Sequence, residues 1–124
     1  DFNLMGLIQK YYLSNARATA DKFTQFEFVS SLEEFTKDSI DIDDGNSLFI
    51  ATWSMSESPV AVRESLLNKI KSTKYIYITF QDRWHGNDNL EYFSSLSAKL
   101  KSHTSHIIPC TIFTGNYYFV GTRL

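Results

Sequence analysis

The chain has 124 residues, with 12 basic and 14 acidic side chains and a formal net charge of −2, which is the size of one domain and leaves little room for two. It is 43% hydrophobic and 15% aromatic, which excludes a disordered or low-complexity chain. Its Lys and Arg residues are scattered, so the electrostatic footprint of a nucleic-acid or acidic-membrane partner is missing. No run approaches the roughly 20 apolar residues of a membrane span, and no basic segment followed by an apolar stretch opens the chain. A single cysteine, Cys110, cannot form an internal disulfide, which favours a buried thiol in a reducing compartment, hence the cytoplasm.

Between Asn3 and Asn15 the residues Leu4, Leu7, Ile8, Tyr11 and Tyr12 recur at spacings of three and four, which predicts a helix with one apolar face. Phe26 to Leu32 is a short aromatic and branched run that reads as a strand. In the polar stretch from Glu33 to Asn46, Asp41, Asp43, Asp44 and Gly45 have incomplete spacing for a calcium loop, and no Glu closes it at the twelfth position. A solvated turn is the simpler expectation there. Ser47 to Trp53 is a continuous apolar strand, as expected when helices cover both of its faces. Ser58 is placed to cap the next helix, with Pro59 at its first position and Val62, Leu66, Leu67 and Ile70 on its buried side.

Tyr75 to Phe80 repeats the buried-strand pattern, and the polar segment Gln81 to Asn87 reads as a loop. Asp88 and Glu91 then form a capping pair for a helix striped by Leu90, Phe93, Leu96 and Leu100. Ile107 to Phe113 and Tyr117 to Thr122, joined by Thr114-Gly115-Asn116, read as a hairpin. Pro109 cannot donate to a ladder, which predicts a sheet edge for the first of these strands. The order implies an α/β open sheet, mostly parallel, closed by one antiparallel hairpin.

In such sheets ligands bind beyond the carboxyl ends of the strands, which directs attention to Ser30 to Glu33, Trp53 to Glu57 and Gln81 to Gly86. The indole of Trp53 could face a cation or a sugar ring, with Ser54, Ser56 and Glu57 beside it. The alternative is a core tryptophan followed by residues that only cap a helix. An imidazole is the side chain best suited to act as a general base near neutral pH, which makes His85 a candidate, while a surface histidine is the plainer alternative. Asp82 with His85 lacks the third ligand of a metal site. His103 and His106 are expected between the helix and the edge strand, with no chemistry.

The closing segment HIIPCTIF-TGN-YYFVGTR resembles the C-terminal part of the class I methyltransferases that use S-adenosylmethionine. The segment LFIATWSMSESP is similar to the sugar O-methyltransferase family, in which a strand ends in a Thr-Trp-x-x-Ser-Glu sequence before a helix. The opening Asp1-Phe2-Asn3-Leu4 and Gln9-Lys10-Tyr11-Tyr12-Leu13 resemble that family's second strand end and following helix, with Phe2 and Asn3 in place of Leu and Pro.

The resemblance implies that residues 1–124 are the C-terminal portion of a Rossmann-like, three-layer α/β/α domain without its first strand. That strand carries a Gly-rich cofactor loop, and the five glycines Gly6, Gly45, Gly86, Gly115 and Gly121 do not supply one. The loop is therefore expected before Asp1, and the isolated chain is expected to bind cofactor poorly. By the same resemblance Asp1 holds the ribose hydroxyls of S-adenosyl-L-methionine, Ser31 and Leu32 (an acidic position in the family) lie beside the adenine, and Trp53 and Ser54 complete the cofactor contacts. Glu57 and His85 would be catalytic. Ser56, Asp82 and Trp84 would contact a sugar or glycan acceptor, with no metal. The alternative is a noncatalytic α/β interaction or scaffold module. A glycosyltransferase half is disfavoured by the final hairpin and by the lack of a paired acidic metal motif.

Overall fold

A computed structural model describes Ile8, Tyr11, Tyr12, Asn15 and residues 46–124. The chain divides into two compact units, Asp1–Ile40 and Asp41–Leu124. In the first unit the described residues are helical, and the Asn15 side-chain amide donates to the Tyr11 carbonyl at 3.0 Å. The strand expected at Phe26 to Leu32, the acidic turn at Asp41 to Gly45 and the site positions Asp1, Ser31 and Leu32 lie outside the described residues.

The second unit runs β1 (Leu48–Thr52), α1 (Val60–Ser65), α2 (Leu67–Ser72), β2 (Tyr75–Gln81), β3 (Arg83–Trp84), β4 (Asn87–Asp88), α3 (Asn89–Lys99), β5 (His103–Pro109) and β6 (Asn116–Arg123). The main sheet has the order β1-β2-β6-β5. β1 and β2 are parallel, joined by the α1–α2 crossover, while β6 lies antiparallel between β2 and β5. The class is α/β as expected, but the described sheet is mixed, with one parallel and two antiparallel pairings, because the last strand inserts between its neighbours. Among the described residues β5 pairs only with β6, so Pro109 ends an edge strand of the described sheet, where its missing N–H costs no ladder bond.

Alternation along the strands sorts the two faces. Ile76, Ile78 and Phe80 of β2, with Ala51 and Phe119, join Ile70 of α2 and Phe93, Leu96 and Leu100 of α3 in one core. The Phe80 and Phe93 rings lie 4.2 Å apart. The opposite face carries Leu48, Ile50, Tyr75, Tyr77 and Ile108, all exposed. Among the described residues helices pack on one face only, which accounts for one of the two covers expected for the apolar runs of β1 and β2.

Two boundaries also differ. The first crossover helix begins at Val60, after Pro59, without a side-chain cap. The Ser58 hydroxyl instead donates back to the Ser54 carbonyl at 2.6 Å, and the Ser58 carbonyl accepts from Arg63 Nε. The second capping site is as expected, with Asp88 accepting from the Glu91 N–H at 2.9 Å. The closing hairpin is displaced towards the N-terminus, since β5 starts at His103 and its connection spans residues 110–115. Both histidines expected between elements are thus in β5. His103 is buried, bonded to the Thr73 carbonyl at 2.8 Å and the Ser102 hydroxyl at 3.1 Å. Among the described residues no helix is long and apolar enough to cross a membrane.

Candidate functional site

The carboxyl ends of the parallel pair β1 and β2 meet the start of β6, and the polar residues there form one connected group. Trp53 follows β1 with φ 56°, a left-handed conformation that is costly for a large side chain. Four hydrogen bonds hold it. Its N–H continues the parallel ladder to the Thr79 carbonyl at 2.9 Å, and its carbonyl accepts from the Glu57 N–H at 2.9 Å and the Ser56 hydroxyl at 2.8 Å. Its indole N–H donates to Asn116 Oδ1 at 3.2 Å. The residue is 45% exposed, so it is not the core tryptophan of the alternative expectation.

Gln81 ends β2 and pairs with Asn116 across the ladder. Its Oε1 accepts from Ser56 Oγ at 3.0 Å, and its Nε2 reaches Glu57 Oε1 at 3.5 Å. Ser56 is fully buried, and its hydroxyl is occupied by Trp53 and Gln81; it positions the loop instead of meeting an acceptor. Ser54 is exposed, its N–H closing a tight turn onto the Thr52 carbonyl at 2.7 Å. Asp82 is exposed, and its N–H donates to the Gly115 carbonyl at 2.8 Å. Gly115 has φ +78°, which favours glycine, and a Cβ there would meet the Asp82 carboxylate at 3.5 Å.

Beneath this edge lies Arg63, fully buried. Its Nε donates to the Ser58 carbonyl at 2.8 Å, Nη2 to the Ser56 carbonyl at 2.7 Å and Nη1 to Asn89 Oδ1 at 2.8 Å. Asn89 donates its side-chain amide to the Gln81 carbonyl at 3.0 Å and its backbone N–H to the Asp82 carbonyl at 2.8 Å. The guanidinium carbon sits 4.8 Å from the centre of the Tyr92 ring. Burial lowers the Arg63 pKa, and the neighbouring Tyr92 opposes that shift. The same surroundings raise the Tyr92 phenol, chiefly by burial and then through Glu64.

His85 stands apart from this group. With Gly86 it forms the two-residue turn of the β3–β4 hairpin, at φ 46° and 83°, and positive φ at both central residues is the type I′ geometry that matches strand twist. Its ring meets Trp84 edge-on at 4.5 Å. No described hydrogen bond links His85 to Trp53, Glu57 or Asp82. Sequence reasoning placed Gln81 in a strand-end segment without giving it a role, and it missed Asn116, Arg63 and Asn89. The polar end of an apolar strand was the available signal for Gln81, while Arg63 looks like any charged residue on a helix.

The edge thus presents a half-exposed tryptophan whose indole N–H is already engaged, with exposed Glu57 and Asp82 on the adjoining loops. That set of groups suits a cationic or sugar-like ligand. Among the described residues no three His, Cys, Asp or Glu side chains gather as a metal site would require. Comparisons with family models, with curated proteins and with solved structures give no match to this chain.

Proposed function

We propose that this chain belongs to an enzyme that transfers a methyl group from S-adenosylmethionine to a hydroxyl of a sugar or glycoside-like acceptor. The observation that carries the proposal is Trp53, held in a strained and exposed conformation at the carboxyl end of a parallel strand, between loops that bear carboxylates. The antiparallel entry of β6 between β2 and β5 supports it, as does the likeness of the Trp53 segment to the sugar O-methyltransferases. In this proposal the sheet is part of a Rossmann-like three-layer domain of a cytoplasmic enzyme.

The residues present fit the cofactor's charge: an indole face and exposed carboxylates are groups that favour a sulfonium and an ammonium. When bound, S-adenosylmethionine supplies an electrophilic methyl group. Trp53 packs against that cation or the acceptor ring, and Ser54, exposed beside it, supplies polar contacts. Glu57 would take the proton released from the acceptor hydroxyl, with His85 the other candidate for that role. Most of the acceleration comes from alignment and the exclusion of water.

Titration of the longest native polypeptide containing this sequence with S-adenosylhomocysteine, by calorimetry, tests the assignment. Saturable binding that disappears in Trp53→Ala and persists in Trp84→Phe is the expected result; no binding by the unaltered polypeptide refutes it. The exposed face bearing Leu48, Ile50, Tyr75 and Tyr77 favours a second possibility, a noncatalytic interaction module, which that refuting result would leave standing.

A further inference from the structure

We propose that Arg63 and Asn89 are positioning residues that lock the loop after β1 and the loop after β2 into a single ligand-holding rim. This rests on the proposal that the rim binds cofactor and acceptor, and it extends to two buried residues that touch neither.

The connection is continuous. Arg63 grips the first loop through the carbonyls of Ser56 and Ser58. Its remaining described bond goes to Asn89 Oδ1, and Asn89 holds the end of β2 through a side-chain bond to the Gln81 carbonyl and the loop after it through its backbone N–H to the Asp82 carbonyl. All three guanidinium bonds are 2.8 Å or shorter, and both residues have no exposed surface. Packing alone would be met by an apolar side chain, since an unneutralised cation in the interior is expensive. The planar fork of an arginine, however, delivers separate donors in fixed directions, whereas a lysine delivers a single point charge. Asn89 is equally specific, because its amide must accept from Arg63 and donate to Gln81 at once. The carbonyls of Ser56, Ser58 and Gln81 are thereby satisfied by side chains, and the separation between Trp53 and Asp82 is set by this chain together with the backbone bond from Asn89 to Asp82.

The test uses amide hydrogen exchange on the full chain, with reporters on the loop that each altered residue does not touch. In Arg63→Lys the reporter is the Asp82 N–H, bonded to Gly115; in Asn89→Asp it is the Glu57 N–H, bonded to Trp53. Asn89→Asp keeps an acceptor for Arg63 while losing the donor to Gln81, so it is the variant expected to stay folded. Exchange at each distant reporter should rise about tenfold or more, while the Ile78 and Phe119 amides of the central strands stay within about threefold. A response confined to the loop directly touched, or a uniform rise at every amide, overturns the latch. Affinity for S-adenosylhomocysteine should fall about tenfold in Asn89→Asp at unchanged thermal midpoint. If the unaltered protein does not bind that probe, the proposed function fails while the latch still stands or falls on exchange.

Discussion

The β3–β4 turn separates structure from chemistry at a single residue. His85 occupies the first central position of a type I′ turn at φ 46°, followed by Gly86 at 83°. A left-handed conformation costs an ordinary L-residue about 1–2 kcal/mol, and asparagine escapes much of that penalty. His85→Asn creates Asn-Gly, the preferred pair for this turn. Against the gain stands the lost edge contact with Trp84 at 4.5 Å, worth roughly 0.5 kcal/mol for an exposed ring pair. The net expectation is stabilisation of about 0.5 kcal/mol, or a rise of roughly 2 °C in the thermal midpoint. Circular dichroism on the full chain measures it. His85→Gly should move the same way by less, because glycine adds entropy to the unfolded chain. A lower midpoint in both variants would refute the conclusion that backbone geometry dominates at this position. Methyl transfer by His85→Asn then stands as a separate measurement: a loss of about 100-fold in a stabilised protein marks His85 as the base, and unchanged turnover assigns it to the turn alone.

Three further outcomes are expected. Ile50 is 59% exposed and Ile78 fully buried, so Ile50→Thr should change the urea-unfolding free energy by less than about 0.5 kcal/mol and Ile78→Thr should cost about 2 kcal/mol or more; equal costs would show that the open face is covered in solution. Glu64 has a lowered pKa, first through its hydrogen bond from Lys99, at 2.9 and 3.1 Å. A depressed carboxylate stabilises the fold above its unfolded value, about 4.3, and loses that contribution as pH falls through the folded value. Both side chains are about 40% exposed, so Lys99→Met should remove only a few tenths of a kcal/mol at pH 7 and flatten the acid limb of the stability curve. The Cys110 thiol is lowered by the Tyr118 hydroxyl, at 3.2 Å, and then by the N–H groups of Phe113 and Ile112. Iodoacetamide at pH 7 should therefore alkylate the native chain faster than the urea-unfolded chain, and Tyr118→Phe should narrow the difference.

Much of the second unit was legible because its signals are local. Leu90, Phe93, Leu96 and Leu100 face the core at helical spacing, Asp88 caps the helix before them, and Pro109 marks an edge. What a run such as LFIAT could not disclose is whether one face or two would be covered, because an apolar strand reads the same in either setting. The strand start at His103 was hidden by its polarity, yet a buried imidazole is tolerated where a carbonyl and a hydroxyl meet its two nitrogens. Strand-end logic pointed to Trp53 and Glu57, which lie in the connected polar group beyond β1 and β2. It could not find Arg63, whose donors are satisfied by backbone carbonyls five and seven residues earlier and by Asn89 at position 26 beyond.

The two non-glycine residues with positive φ, Trp53 and His85, differ in what holds them there. At His85 the turn itself asks for the conformation, and a closing two-residue hairpin is sufficient cause. At Trp53 the strand has just ended in a three-residue turn, closed by the Ser54 N–H on the Thr52 carbonyl at 2.7 Å, and the form of that turn with a positive central φ is itself rare and strained. The conformation persists because a ladder bond, two bonds to its carbonyl and the Asn116 contact all converge on one residue. Strain of about 1–3 kcal/mol survives only where the surroundings over-determine it. The surroundings here do so while leaving Trp53 half exposed. A side chain fixed for packing alone would be buried, whereas Trp53 is fixed and half exposed, and that contrast is why the proposed function rests on Trp53 and not on His85.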